Sequence, residues 1–264
     1  MIEWNVSPEI FSIGPLSVRW YGVLFALSFI VGFQIMHWIY KKDNRPEADL
    51  NDLIWYMILG TVIGARLGHC LFYNPNYYLS HPFEILKVWQ GGLASHGGAI
   101  GILIALFLYS RKKKDQPYLW VLDRIVIVTA FGAFFIRMGN LFNSEIIGKP
   151  TDLPWSFLFV LDKEHSIEPR HPAQLYEALA YLLSFFILFF YYKKNRGKLK
   201  QGYIFGLFLV LIFGVRFLVE FIKENQSLFE KDMPLNMGQV LSIPLILLGI
   251  YFIIRKPKKE IIIR

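Results

Sequence analysis

The sequence predicts an all-α polytopic membrane protein with about seven transmembrane helices, the amino terminus outside, the carboxyl terminus cytoplasmic, and a small outer-side cap loop. Three observations predict it. Hydrophobic residues make up 55% of the chain and aromatic ones 17%, above the ~45–50% apolar content of soluble domains. The apolar residues fall in long blocks, and several blocks reach the ~20 residues a helix needs to cross a hydrocarbon core ~30 Å thick. Lys and Arg cluster in short runs between those blocks. The net charge of +8 therefore follows membrane topology and does not point to nucleic acid.

The spans are expected at residues 18–40, 52–73, 96–110, 118–138, 172–192, 203–222 and 238–254. The third is short, and Gly97, Gly98 and Gly101 at its start predict a tightly packed entry rather than a lipid-facing helix. Residues 1–15 contain Glu3 and Glu9 but no basic residue. They lack the n-region of a cleavable signal peptide, so the first span is expected to stay in the mature protein. The loops after spans one, three and five and the tail hold seventeen Lys and Arg, from Lys41 to Arg264. The opposite side holds seven: Arg19, Lys87, Lys149, Lys163, Arg170, Lys223 and Lys231. Positive loops stay in the cytoplasm, which sets the orientation.

The longest loop, 139–171, then lies outside and is long enough to form a cap. One membrane-embedded domain, 1–264, accounts for the chain, with no internal repeat. Cys70 is the single cysteine, which excludes an internal disulfide and a Cys-rich metal site. No spacing suggests a metal or an organic cofactor.

Ionisable residues inside spans are costly and usually face a cavity or a partner. Arg124, beside Asp123 near the cytoplasmic start of span four, reads as a local ion pair or a snorkelling side chain. Arg66, Arg137 and Arg216 instead fall in the outer halves of their spans, with Glu220 one turn beyond Arg216. The inward-running spans begin outside with Arg19 to Tyr21, with His96, and with Gln174, Tyr176 and Glu177. Taken singly, Arg216 and Glu220 fit a structural i, i+4 pair and His96 a satisfied helix-end residue. Taken together, polar groups from six spans collect at one depth, which reads as a site.

Arginines in a low-dielectric site bind phosphate through planar, permanently charged, bidentate donors. At this depth the phosphate is that of an anionic phospholipid headgroup in the outer leaflet. His96 is the natural proton acceptor, since an unperturbed imidazole titrates at ~6.5. The rival reading is a transporter or flippase for an anionic solute or lipid. Against it stand the missing repeat and the confinement of the polar cluster to one side.

The stretches that carry these residues also carry a resemblance. Arg137-Met-Gly-Asn-Leu-Phe-Asn-Ser-Glu-Ile-Ile-Gly148 resembles the signature of the prolipoprotein diacylglyceryl transferases, G-R-x-G-N-F-x-N-x-E-x-x-G. Around it stand Arg19-Trp-Tyr-Gly22, Gly64-Ala-Arg-Leu-Gly68, Trp89-Gln-Gly-Gly-Leu-Ala-Ser-His-Gly-Gly98, His171-Pro-Ala-Gln-Leu-Tyr-Glu177, Arg216-Phe-Leu-Val-Glu220 and Met237-Gly-Gln-Val-Leu-Ser242. All occur in the family's order, over essentially the whole chain.

The resemblance implies a bacterial cytoplasmic (inner) membrane enzyme with its active site facing the outer leaflet. Its partners are phosphatidylglycerol and a preprolipoprotein signal peptide with a lipobox cysteine. It implies His96, Arg137 and Arg216 as catalytic residues. Tyr21, Arg66, Asn140, Asn143, Glu145, Gly148 and Glu220 are implied as substrate-binding or loop-shaping residues. The thiol belongs to the substrate, so Cys70 reads as a packing residue. The departures from the family include Ile212, which stands where a functional tyrosine precedes the second arginine by four residues, and Leu141, where the signature has Phe.

Overall fold

The structure, a computed structural model, describes residues 1–14, 16–162, 166–224 and 233–256. Lys163, Lys231, Lys258, Lys259 and Arg264, which enter the charge asymmetry, lie outside the described residues. The chain is an all-α polytopic membrane protein with eight α-helices among the described residues. They are α1 (Trp20–Lys42), α2 (Glu47–Tyr73), α3 (Pro75–Ser80), α4 (Ser95–Lys112), α5 (Tyr118–Phe142), α6 (Ala173–Asn195), α7 (Tyr203–Val219) and α8 (Met237–Ile254). Six of them, all but α3 and α4, are long and apolar enough to cross a membrane by length and composition. Helix α4 covers the expected third span but is not among the six. Its glycines contribute no apolar side chain, and its ends carry His96, Arg111 and Lys112. Four short strands were not expected: β1 (Ile2–Trp4), β2 (Glu9–Ile13), β3 (Leu16–Arg19) and β4 (Phe157–Phe159). At three to five residues each, they are too short to show a period in the sequence.

Two compact units divide the chain, Met1–Met36 with Asp123–Arg264, and His37–Leu122. In the second, α2 and α4 run antiparallel with their backbones in contact. Gly60, Gly64 and Gly68 on α2 face Ala105, Gly101 and Gly97 on α4. A Cβ added to Gly64 would stand 2.7 Å from Gly101 Cα, and one on Gly68 would stand 2.7 Å from Gly97 Cα. Small residues four apart lie on one helical face, and in a membrane such faces let helices approach closely where no hydrophobic drive separates them from lipid. At the other end of this unit the buried Asp49 carboxylate accepts from Lys113 Nζ at 2.5 Å and Gln116 Nε2 at 2.6 Å. Tyr109 and Tyr40 donate to Gln116 Oε1 at 2.7 and 3.0 Å, so the buried polar groups of the α4–α5 connection are satisfied.

In the first unit, α7 and α8 meet at another pair of small residues. A Cβ on Gly206 or on Gly249 would lie 2.7 Å from the other's carbonyl oxygen. Asp123 of α5 accepts from the backbone N–H of Gly202 at 2.6 Å and Phe205 at 2.8 Å. It therefore caps the first turn of α7, whose leading N–H groups have no partner within the helix. Arg124 is buried with its guanidinium 5.6 Å from the Tyr192 ring centre, a cation–π contact rather than a snorkelling position.

The cap region forms around a parallel pairing of β1 with β4. It encloses a small core of Leu141, Ile147, Phe157 and Phe159 against which Trp4 packs. Trp4 Nε1 donates to the Leu141 carbonyl at 3.1 Å.

Gly101→Leu should force α2 and α4 apart and lower stability by about 1–3 kcal/mol. Gly214→Ala, whose added Cβ would meet nothing within 4 Å, should leave stability unchanged or raise it by up to ~1 kcal/mol. Thermal unfolding of the two variants in detergent checks this. Equal melting temperatures would show that the α2–α4 contact does not limit stability.

Candidate active site

Helix α5 ends in the signature run, and its last turns decide where the first arginine points. Arg137 sits one turn from the helix end. Its Nε lies 2.7 Å from Glu177 Oε2 on α6, and its Nη1 donates to Asn140 Oδ1 at 3.1 Å. Asn140 Nδ2 in turn donates to Glu145 Oε2 at 3.2 Å, and Asn143 Nδ2 to Glu145 Oε1 at 3.0 Å. Gln174 Nε2 holds the Glu145 carbonyl at 2.5 Å. The turn between these residues is strained, with φ of +53° at Ser144 and +59° at Ile146. A β-branched residue at positive φ is a genuine outlier, and it persists only where its surroundings over-determine it. Here the Asn–Glu–Asn bonding and the Gln174 contact do so.

Gly148 ends the run in a position no side chain fits. A Cβ there would stand 2.5 Å from His171 Cβ and 2.9 Å from the Ile222 carbonyl. Its N–H donates to the His171 carbonyl at 2.9 Å. Tyr21, in the first turn of α1, lays its ring on the α5 backbone, where a Cβ on Gly139 would come within 2.6 Å of it.

The second arginine belongs to a chain of alternating charges. Arg216 Nε lies 3.7 Å from Glu220 Oε1, Glu220 Oε1 accepts from Lys223 Nζ at 2.9 Å, and Lys223 Nζ lies 3.5 Å from Glu177 Oε1. Glu177 closes the chain onto Arg137. Asn236, which caps α8 in a capping box with Gln239, also donates to Glu220 Oε2 at 3.0 Å, and Tyr181 donates to Glu177 Oε1 at 3.3 Å.

Glu177 is fully buried, with Lys223 at 3% and Glu220 at 6% exposure, whereas the Arg216 side chain is 37% exposed. Its Nε has no hydrogen-bond partner among the described residues. Within this chain three cations face two carboxylates, so it carries one positive charge more than it carries negative, and Arg216, its most exposed member, presents it. An anionic group fits that surplus.

Of the residues expected from sequence, Tyr21, Arg137, Asn140, Asn143, Glu145, Gly148, Arg216 and Glu220 all lie in the first unit. His96 and Arg66 belong to the unit His37–Leu122. His96 is exposed in the first turn of α4. Arg66 is buried on α2, its N–H groups directed at backbone carbonyls. Lys223 was missed as a site residue, since it was counted as an outer-loop charge. Its signal was its spacing of three from Glu220 and seven from Arg216, which places all three on one face. Glu177 stood inside a quoted motif without a role, and only the fold shows that it bridges Arg137 to Lys223. Cys70 is buried, as a packing residue would be. Among the described residues no group of His, Cys, Asp or Glu is placed to hold a metal ion.

The sequence model of the family described as prolipoprotein diacylglyceryl transferase matches residues 8–255. The chain belongs to the prolipoprotein diacylglyceryl transferase family. A phosphatidylglycerol–prolipoprotein diacylglyceryl transferase of Chloroherpeton thalassium is 51% identical over 259 residues, covering 98% of this chain and 95% of the relative. Proteins of the same name from Bacteroides fragilis and Tolumonas auensis are 47% and 45% identical. These alignments cover 98% of this chain in both cases, and 96% and 99% of the relatives. The family match spans both compact units, so both belong to one transferase-family chain.

Two outcomes follow from the geometry. Lys223→Met leaves Glu177 and Glu220 buried without their shared cation, and breaking such a pair costs about 3–5 kcal/mol. Lys223→Arg should retain most of the stability, as read by thermal unfolding in detergent.

Burial pushes the His171 imidazole below its ordinary value. The folded state thus favours neutral His171, a contribution present above ~6.5 and lost as pH falls through the lowered value. The protection factor of the Gly148 amide, whose N–H donates to the His171 carbonyl, should fall on acidification in the wild type and fall less in His171→Gln. An unchanged acid response in the variant would remove His171 as its cause.

Proposed function

We propose that this chain transfers the diacylglyceryl group of phosphatidylglycerol to the lipobox cysteine thiol of a preprolipoprotein, the first step of bacterial lipoprotein maturation. The names of its relatives give the lipid donor and the protein acceptor. The observation that carries the reading is the charge chain Arg137–Glu177–Lys223–Glu220–Arg216, which anchors Arg137, pairs Arg216 with Glu220 and leaves a positive surplus for a phosphate.

In this reading the thiol loses its proton to His96, and the sulfur attacks the glyceryl carbon that bears the phosphate. The carbon–sulfur bond forms as the carbon–oxygen bond breaks. Glycerol phosphate leaves with the electron pair, and the product is a thioether. A thiol with pKa ~8.5 is mostly protonated at neutral pH, so a base or a positive field is needed to favour the thiolate. Arg137 and Arg216 bind the phosphate and stabilise the charge that grows on the leaving oxygen. Glu220 orients Arg216. Asn140, Asn143, Glu145 and Gly148 shape the signature turn, and the Tyr21 hydroxyl binds the headgroup.

The enzyme works as one domain, 1–264, in the bacterial cytoplasmic (inner) membrane. The charge asymmetry supports an amino terminus outside and a carboxyl terminus inside, with the site and the 139–171 cap at the outer leaflet.

The test is transfer by purified protein in detergent from phosphatidylglycerol to a lipobox peptide carrying cysteine or serine, read by mass spectrometry. A diacylglyceryl gain on the cysteine peptide alone, lost at least a hundredfold in Arg137→Ala (about 2.7 kcal/mol at ~1.36 kcal/mol per factor of ten), supports the reading. No gain from folded, lipid-binding protein would overturn it in favour of lipid transport.

A further inference from the structure

We infer that Arg66 is a positioning residue for His96 and not a ligand of the lipid phosphate. This rests on the transferase reading and says how its base is held. A guanidinium has five N–H donors, and those of Arg66 make four hydrogen bonds to main-chain carbonyls. Nε donates to Ile85 O at 2.9 Å, Nη2 to Glu84 O at 2.6 Å, and Nη1 to Gly91 O at 2.7 Å and Gly92 O at 3.2 Å. The Tyr78 ring lies 5.1 Å from its central carbon, and the residue is 4% exposed. A phosphate would have to displace carbonyls that already surround the cation, and their partial negative charges oppose its approach.

Glu84 and Ile85 belong to the first of two 3-10 turns, Pro82–Leu86 and Val88–Gln90, and Gly91 and Gly92 follow the second, in the strap that leads to the helix carrying His96. A strap of this kind has few backbone bonds of its own. Gly91 and Gly92 both sit at positive φ, +84° and +69°, a conformation that glycine adopts at little steric cost. Arg66 gathers both ends of the strap on one side chain. The next residue pair repeats the hold, since the Ala94 N–H donates to the Ala65 carbonyl at 2.9 Å.

Helix α4 begins at Ser95, and Gly97 is seated against Gly64 and Gly68. His96 thus lies between two contacts with α2, one through the Arg66-clamped strap and one through the glycine face. Its backbone is set by α2. A Cβ on Gly92 would stand 2.7 Å from the His69 ring and 2.8 Å from Arg66 Nη1, so these two α2 side chains together require glycine there.

Two variants break the clamp from opposite sides. Arg66→Lys keeps the charge but replaces the planar fork with one ammonium that does not span four carbonyls. Gly92→Ala keeps Arg66 and displaces the strap. The measurements are kcat and KM for phosphatidylglycerol with a lipobox peptide, and hydrogen exchange at the Ala94 amide, on full-length protein in detergent. Both variants are expected to lower kcat about tenfold with KM within about twofold, the signature of a lost transition-state arrangement rather than lost lipid binding. Both should speed Ala94 exchange about tenfold.

Three results overturn the inference: a raised KM with kcat kept in Arg66→Lys, wild-type behaviour of Gly92→Ala, or unchanged Ala94 exchange. If the wild type itself transfers nothing, the function reading falls, and the exchange measurement alone decides the clamp.

Discussion

Taking a charge out of water costs several kcal/mol, and one unit of this protein does so repeatedly within a few side chains of α5, α6 and α7. The solution is alternation. Arg137, Glu177, Lys223, Glu220 and Arg216 run positive, negative, positive, negative, positive, so each buried carboxylate has a cation on both sides. Removing any inner member would strand its neighbours in a low dielectric, where an unpaired charge is poorly tolerated. The local details answer to that chain. Gly238 makes room for the Glu220 carboxylate, where a Cβ would stand 2.5 Å from Oε1. The α8 capping box delivers Asn236 to the same carboxylate.

In the proposed reaction, the odd number of charges is what gives the chain chemical use. A neutral buried network would be only a staple, whereas three cations against two carboxylates leave a field directed at the more exposed end. Arg216 is that end. Arg137 is anchored on Glu177 and Asn140, so its orientation is settled before any anion arrives. Electrostatic stabilisation is effective when the donors need no reorganisation as charge develops.

The other unit solves a different problem with backbone instead of charge. Between α2 and α4 the closest points are glycine backbone and the Ala105 methyl, and contact between these small-residue faces fixes the pair in register. A guanidinium directed wholly at carbonyls turns an irregular strap into a fixed lead-in for α4. Two arginines of the same residue type therefore do opposite things. Arg216 presents its charge, and Arg66 ties up its own, and the difference is made by whether carboxylates or carbonyls stand nearby.

Much of this was legible in the chain. Block length and the clustering of Lys and Arg determined the polytopic class, because desolvation of backbone and charge admits few alternatives in a bilayer. The 137–148 run and its companions pointed to most of the candidate site, because residue types there answer to local demands such as a φ above zero or a close approach. What the sequence did not determine was partnership. Lys223 reads as one more loop lysine until α7 ends and aims it between Glu177, forty-six positions away, and Glu220. Asp123 reads as half of an ion pair until Gly202 and Phe205 bring it their N–H groups. The strands of the cap are too short to carry a period, and β1 pairs with β4 across more than 150 residues. Burial pattern and residue type are properties of a stretch of chain, and sequence alone determines them. Which donor meets which acceptor depends on where distant stretches stop, and only the tertiary structure decides that.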